Sequence, residues 1–366
     1  MKVLIVGRAS EFNKATGSGI PRYMAELYTN IKKIKPKSIE KRAYFSMPYV
    51  SKHFPFTNNF SFMLLTMFTN FAGYDLIHNL DPSNMIFNYN VRNVSLVTTV
   101  HDFIPILNIK KEVGTFENNA NKVKALLLKL NLDLNNYMTA LGMYNALRIS
   151  SGLIANSSQT KNEARELGYK KRIYTINLGL DARFMSELTQ QNRNKFKVGY
   201  IGGLNYRKNI QLVLKAWKLL NNKHNMELEI WGNRTVESNI MFEHYKSDSS
   251  ILFKGFAAER DLVQIYDSFN IFVFPSLYEG FGLPILEAQS RGLPVIIYKD
   301  GKITKEVRKY CIEAEDEEHM TQIIENIKEN GYNEKKKKKA TEYARSFTWE
   351  KTAKETIRAY QKILTL

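Results

Sequence analysis

Short apolar runs recur along the chain, separated by polar stretches in which apolar residues return every three or four positions. The first run, Val3-Leu4-Ile5-Val6, ends in Gly7 and reads as a buried parallel strand. A loop rich in small residues follows and closes on Thr16-Gly17-Ser18-Gly19. Pro21 suits a first helical turn, and Tyr23, Leu27 and Ile31 form a helical stripe. Similar runs predict strands over 75–78, 94–100 and 152–155, with a helix over 123–147. The pattern then restarts with a strand over 197–201, a Gly202-Gly203 turn and a helix over 209–220 capped by Asn209. Further strands are expected over 228–231, 251–253, 271–274 and 294–297. Strands alternating with helices argue α/β layers with parallel sheets. A second β-turn-α start argues two Rossmann-like domains. The polar segment 181–194 reads as a linker, and 348–364 as an amphipathic helix with Trp349, Ile357, Tyr360 and Ile363 along one face.

Composition agrees with two cores: of 366 residues, 44% are hydrophobic and 24% charged, which excludes a disordered chain or a coiled coil. The single cysteine, Cys311, excludes a disulfide framework and a cysteine-based zinc site, and fits a reducing cytoplasm. No signal peptide is expected, because Lys2, Arg8 and Glu11 bracket the short first apolar run. Residues 54–74 are broken by Pro55, Asn58, Asn59, Thr66 and Asn70, and fall short of the roughly 20 apolar residues of a spanning helix. The expected location is the cytoplasm, with peripheral contact at the inner face of the cell membrane as an extension. The net charge of +17 is uneven: residues 1–196 hold 26 Lys+Arg against 13 Asp+Glu, so the first half should meet an anionic partner. The aromatic and Met-rich stretch 60–71 reads as a core helix. Together with Lys110, Lys111, Lys122, Lys124 and Lys129 it reads alternatively as a membrane-surface patch. The Lys335 to Lys339 run reads as a solvated face.

The most specific stretch is 275–288, Pro-Ser-Leu-Tyr-Glu-Gly-Phe-Gly-Leu-Pro-Ile-Leu-Glu-Ala. It reads as the end of a strand, a glycine-bearing loop and a helix with Pro284 and Glu287 in its first turn, closed by Gly292. Gly280 and Gly282 let backbone approach a ligand, and a helix start offers free N–H groups and partial positive charge, so phosphate is the natural guest. A carboxylate beside phosphate is repulsive. Glu279 and Glu287 are better used as acceptors for sugar hydroxyls on either side of a diphosphate, which is the layout of a nucleotide-sugar. The bland alternative is an ordinary βα turn with two surface glutamates.

The Glu-x₇-Glu spacing in Tyr-Glu-Gly-Phe-Gly-Leu-Pro-Ile-Leu-Glu-Ala resembles the signature of family 4 retaining glycosyltransferases of the GT-B fold. The resemblance runs over nearly the whole chain. It includes the glycine loop before Pro21-Arg22-Tyr23, Thr99-Val100-His101-Asp102-Phe103-Ile104-Pro105, Asn156-Ser157-Ser158, Tyr206-Arg207-Lys208-Asn209, Phe253-Lys254-Gly255-Phe256 and Phe347-Thr348-Trp349-Glu350-Lys351. It implies two Rossmann-like domains facing across a cleft: 1–185 for the acceptor, 195–345 for the nucleotide-sugar, and a helix over 346–366 returning to the first domain. It implies that Glu287 holds ribose, that Glu279 holds the hydroxyls of the donor sugar, and that the N–H groups of Phe281, Gly282 and Leu283 hold diphosphate. Lys208, assisted by Arg207, would neutralise the β-phosphate, so that no metal or other cofactor is needed. Some relatives carry an arginine where this chain has Gly203. Either Arg207 substitutes for it, or the diphosphate is held less firmly. Phe256 is either a base-recognition residue or a core aromatic.

His101 follows the strand over 94–100, at the carboxyl end where open α/β sheets bind ligands. Chemistry alone favours a structural histidine; the resemblance places it against the donor sugar. Gly17 and Gly19 would come near donor phosphates and acceptor, and Arg22 either faces the acceptor or lies on the surface. The implied reaction is metal-independent transfer of a hexosyl group, with retention, from a nucleoside-diphosphate sugar to a glycan or lipid-linked acceptor. The resemblance leans towards mannosyl from GDP-mannose and leaves UDP-sugars open. No carboxylate is an obvious nucleophile, which fits a front-face route better than double displacement. A nucleotide-sugar epimerase of the same fold is the rival enzyme, but it needs further acid-base residues. A basic nucleic-acid-binding protein is the non-enzyme rival, and the glutamate pair opposes a polyanion, so nucleic acid is not an expected partner.

Overall fold

Val3, Leu4, Ile5 and Val6 are all buried, which sets the first strand inside a sheet covered on both faces. The computed structural model describes residues 1–8, 19–35, 37–44, 69–82, 93–106, 134–187, 194–233 and 236–365. In the first half, β1 (Val3–Arg8), β2 (Ile39–Tyr44), β3 (Leu76–Asn79), β4 (Ser95–Val100), β5 (Gly152–Ala155) and β6 (Arg172–Thr175) form one parallel sheet in the order β2-β1-β3-β4-β5-β6. Helices α1 (Gly19–Ile34), α2 (Leu134–Ile149) and α3 (Ser158–Glu166) connect its strands.

The second half repeats the plan with β7 (Phe196–Ile201), α4 (Ile210–Leu219), β8 (Met226–Trp231), α5 (Val236–Glu243), β9 (Ile251–Gly255), α6 (Leu262–Ser268), β10 (Ile271–Phe274), α7 (Leu283–Ser290), β11 (Val295–Tyr298), α8 (Lys305–Arg308) and β12 (Ile312–Ala314). Its sheet is also parallel, in the order β12-β11-β10-β7-β8-β9. Two helices, α9 (Glu317–Asn330) and α10 (Glu334–Arg345), pack on α4 and α7 respectively. The chain then enters α11 (Trp349–Leu364), which packs on α1 and β4 of the first sheet. Two units result: residues Met1–Asn177 with Trp349–Leu366, and residues Leu178–Thr348.

The strands missed from sequence are β2, β6 and β12, all at sheet edges. Their sequences, Ile-Glu-Lys-Arg-Ala-Tyr, Arg-Ile-Tyr-Thr and Ile-Glu-Ala, mix charge with apolar residues, as edge strands do when one side stays in water. The segment 181–187, expected as linker, is instead fastened to the second unit. Asp181 caps a short turn over Ala182–Met185, Arg183 bonds Glu259, and Arg291 reaches the carbonyls of Ser186 and Glu187. Asn209 starts α4 without a side-chain cap bond, because its backbone is left-handed at φ 51° and the capping is done by Asn205 for the preceding turn. Of the helix expected over 123–147, residues from 134 onward are described. The predicted patch residues Lys110, Lys111, Lys122, Lys124 and Lys129 and all of 60–68 lie outside the described residues, and Phe71 is buried. Among the described residues no helix is long and apolar enough to cross a membrane.

The core of the first unit contains a polar chain that sequence reading did not anticipate. Tyr360 of α11 bonds His78 Nδ1 at 2.6 Å, His78 Nε2 bonds Thr99 Oγ1 at 2.7 Å, and Tyr23 Oη bonds the same Thr99 oxygen at 2.8 Å. Both ring nitrogens are engaged and the side chain is fully buried; burial first, and the neighbouring His101 second, push the His78 imidazole down to about 3. An unfolded histidine titrates near 6.5, so the unfolded chain binds more protons between these two values, and stability is lost as the pH falls through that window. Unfolding free energy from urea titrations of the full chain should therefore drop between pH 7 and pH 5, with His101 acting in the same direction. The drop should be shallower in His78→Gln; an equal slope in both proteins would assign it elsewhere.

Candidate active site

In the second sheet, the direction in which successive strands are added reverses between β7 and β10, which pair directly. Loops leaving the carboxyl ends of these two strands diverge to opposite faces, and an open crevice between them is where ligands of such sheets bind. The β7 loop runs Gly202-Gly203-Leu204-Asn205 and then makes one tight turn, Tyr206–Lys208. Asn205 fixes that turn by accepting from the Lys208 amide at 3.3 Å. The β10 loop runs from Pro275 to Gly282, and its backbone is stitched to the first loop by Leu277 N–H donating to Arg207 O at 2.8 Å.

These loops bring Glu279, Lys208 and Arg207 together. Lys208 Nζ lies 2.5 Å and Arg207 Nη1 3.2 Å from the same Oε1 of Glu279. The buried Ser276 hydroxyl donates to that oxygen at 2.5 Å. Arg207 also donates to Tyr278 O at 2.7 Å, and the Lys208 ammonium sits 4.8 Å from the centre of the Phe274 ring. Two cations to one carboxylate leave a local surplus of positive charge, which suits an anionic guest. Burial raises the neighbouring Tyr200 phenol well above its ordinary value and the Glu279 charge adds to it, so Tyr200 stays neutral and donates to Gly203 O at 2.7 Å.

Beside this cluster stands the start of α7. Gly282 adopts φ 101°, a left-handed conformation that favours glycine, and its carbonyl receives the Ile285 amide at 3.1 Å. The amides of Phe281, Gly282 and Leu283 make no hydrogen bond within the described residues, so three donors remain for a ligand at a helix N-terminus. Gly280 is half-buried in the same loop. Because α7 begins at Leu283, Glu287 falls in its second turn and not its first. Glu287 is nonetheless nearly fully buried, and its Oε2 accepts from the Tyr266 hydroxyl at 2.9 Å. Phe256 follows Gly255 (φ 76°) and is 49% exposed, which removes the core-aromatic alternative for it.

In the first unit His101 comes directly after β4 and is buried. Its Nε2 lies 3.0 Å from the carbonyl of Leu80, which can only accept; the ring therefore donates there and keeps Nδ1 as its lone-pair nitrogen. The Tyr23 ring meets it edge-on at 4.8 Å. Burial lowers the His101 pKa against the opposing pull of Asp81, so the ring is neutral at physiological pH. Asn156 holds the His101 carbonyl from the side at 2.9 Å, and Thr160 of α3 holds Asn156. Arg22, open in the sequence as a surface residue, is buried. Gly19 is the exposed first residue of α1, and Gly17 lies outside the described residues. Among the described residues no three His, Cys, Asp or Glu side chains gather where they could hold a metal ion.

Sequence reading missed Ser276 and Tyr266, the hydrogen-bond partners of the two glutamates, and the buried pair Asp267–Arg291. That pair is bidentate, at 2.7 Å from Nε to Oδ1 and 2.7 Å from Nη2 to Oδ2. The one available signal was an arginine set between this short helix and the Gly292 that closes it.

Two family models match successive parts of the chain: Glycosyltransferase Family 4 over residues 28–184 and Glycosyl transferases group 1 over residues 182–347. The O-antigen chain mannosyltransferase B of Escherichia coli is 31% identical over 170 residues, covering 44% of this chain and 45% of that protein. The chain thus matches less than half the length of that relative. Among solved structures, sucrose-phosphate synthase from Thermosynechococcus elongatus superposes with a TM-score of 0.73 at 16% identity, covering 100% of this chain and 99% of the other. Anabaena HepE in complex with UDP-glucose gives 0.67 at 16% identity, covering 99% and 100%. The chain belongs to the family 4 glycosyltransferases, with the paired α/β sheets of the GT-B fold.

The buried Asp267–Arg291 pair yields a prediction independent of chemistry. Asp267→Ala leaves a guanidinium uncompensated in the core and should cost about 3–5 kcal/mol of unfolding free energy in chemical denaturation. A loss below about 1 kcal/mol would mean that water reaches Arg291 and the pair is not buried in solution.

Proposed function

We propose that the protein transfers a hexosyl group, with retention of configuration, from a nucleoside-diphosphate sugar to a hydroxyl of a glycan or lipid-linked acceptor. The observation that carries this reading is the cluster of Lys208 and Arg207 on Glu279 beside the unbonded amides of Phe281, Gly282 and Leu283. Cations and amide donors at one spot suit a diphosphate, which carries two negative charges in the nucleotide-sugar and gains a third, to be met by the site, as the glycosidic bond breaks. Lys208 and Arg207 meet that charge in this reading, and the reaction runs without a metal ion. Glu279 exchanges its partners for hydroxyls of the donor sugar, and Glu287 accepts from the ribose. His101, with Nδ1 as an acceptor, takes a hydrogen bond from a sugar hydroxyl in this reading and is not a nucleophile.

The donor in this reading is GDP-mannose. The name of the Escherichia coli relative, a mannosyltransferase of O-antigen chains, supports the mannosyl group and a polysaccharide acceptor. The excess of Lys and Arg in residues 1–196, 26 against 13 acidic residues, supports peripheral contact of a cytoplasmic protein with an anionic membrane.

A thermal-shift panel of GDP, UDP, ADP and their sugars tests the donor, since the matching ligand raises the melting temperature with site occupancy. A rise with GDP and GDP-mannose only is the expected result, and a rise confined to a UDP-sugar would reassign the donor. With donor and acceptor in hand, Glu279→Ala and Lys208→Ala should each reduce kcat/KM at least about tenfold, the scale of one lost transition-state contact. Unimpaired turnover in both would remove the site. Turnover should also survive EDTA; loss restored by manganese would replace the cation-only account with a metal-assisted one.

A further inference from the structure

Two neighbouring residues of α6 hold two positions one turn apart on and just beyond α7. Asp267 grips Arg291 along the Nε–Nη2 edge of its guanidinium, and Arg291 in turn holds the Ser186 and Glu187 carbonyls. Tyr266, fully buried, donates to Glu287. The ring of Tyr266 has no room to follow a displaced partner: Phe272, Phe184 and Phe269 meet it edge-on with centroids at 5.2, 5.8 and 6.4 Å. Its hydroxyl carries one proton, and the Glu287 carboxylate at 2.9 Å takes it in preference to the Pro284 carbonyl at 3.5 Å. A fixed donor thus holds a buried carboxylate in one rotamer.

We propose that Tyr266 is a positioning residue for nucleotide recognition: its hydroxyl sets the Glu287 carboxylate to accept from the vicinal hydroxyls of a ribose, so that ribonucleotides are preferred over deoxyribonucleotides. The inference rests on the reading of Glu287 as the ribose acceptor. A carboxylate offers about four lone-pair positions, and the bond from Tyr266 takes one of them. Two hydroxyls at fixed spacing are accepted well only by a carboxylate held in plane. Without the phenol oxygen, Glu287 loses one of the bonds that set its carboxylate and that discrimination falls first, while the diphosphate contacts of Lys208, Arg207 and the α7 amides are untouched.

The test is calorimetric binding of the nucleoside diphosphate that stabilises the wild-type protein, compared with its 2′-deoxy and 3′-deoxy forms. The wild type should bind the ribonucleotide at least about tenfold more tightly than either, the scale of one hydrogen bond to a charged group. In Tyr266→Phe that ratio should fall towards one, with binding of the deoxy forms little changed. Glu287→Gln should flatten the ratio as well, and adding Tyr266→Phe to it should change the ratio no further. An undiminished ratio in Tyr266→Phe, with all three ligands weakened alike, would make Tyr266 a packing residue only and overturn the inference while leaving the nucleotide site intact. A wild type that binds the diphosphate without preferring ribose would overturn the role of Glu287 and this inference with it. A wild type that binds no nucleoside diphosphate would overturn the proposed function itself.

Discussion

One carboxylate ties together the two loops on which the second unit's chemistry depends. Glu279 receives Lys208 and Arg207 from the loop after β7 and Ser276 from the loop after β10, all on the same oxygen. These loops leave neighbouring strands in opposite directions, and this tie adds to the Leu277–Arg207 backbone bond in fixing the width of the crevice between them. Placing the tie at an ion pair has a chemical effect as well. In the function proposed above, ammonium and guanidinium heads that are already gathered lose less freedom when the diphosphate binds, and a carboxylate that is already desolvated is poised to accept hydroxyls.

The first unit solves a related problem without charge. His101 is oriented by the Leu80 carbonyl at the end of the neighbouring strand, by the Tyr23 ring and through its backbone by Asn156. Tyr23 is in turn pinned to Thr99, which joins His78 and Tyr360. A neutral, immobile imidazole is the product. Such a ring serves as a directional hydrogen-bond partner over a wide pH range, which a surface histidine near its ordinary pKa does not.

The sequence was most legible where physics is local. The inner strands β5 and β10 are continuous apolar runs closed by turn residues, and both were located to the residue; β1, β4 and β7 came within one or two positions. The loop and helix from Glu279 to Glu287 stood out because glycine, proline and carboxylate each have a backbone or charge reason to be there. Edge strands β2, β6 and β12 were lost, since half their environment is water and their periodicity is diluted by Lys, Arg and Glu. Partners were lost for a different reason. Ser276 is three residues from Glu279, but Tyr266 is 21 from Glu287 and Tyr360 is 282 from His78. No periodicity joins such positions; only the packed strands and helices bring them together. Asn209 shows a local signal misread: an asparagine before a helix suggests a cap, whereas here its tolerance of left-handed backbone is what the turn uses.

The first unit is discontinuous in the chain: it is completed by Trp349–Leu366, after the whole of the second unit. During synthesis its sheet leaves the ribosome long before α11 exists, with His78 facing a vacancy where Tyr360 will sit. The second unit, continuous in the chain, is thus complete before the first, whose amino-terminal part must wait for residues 349–366 to emerge.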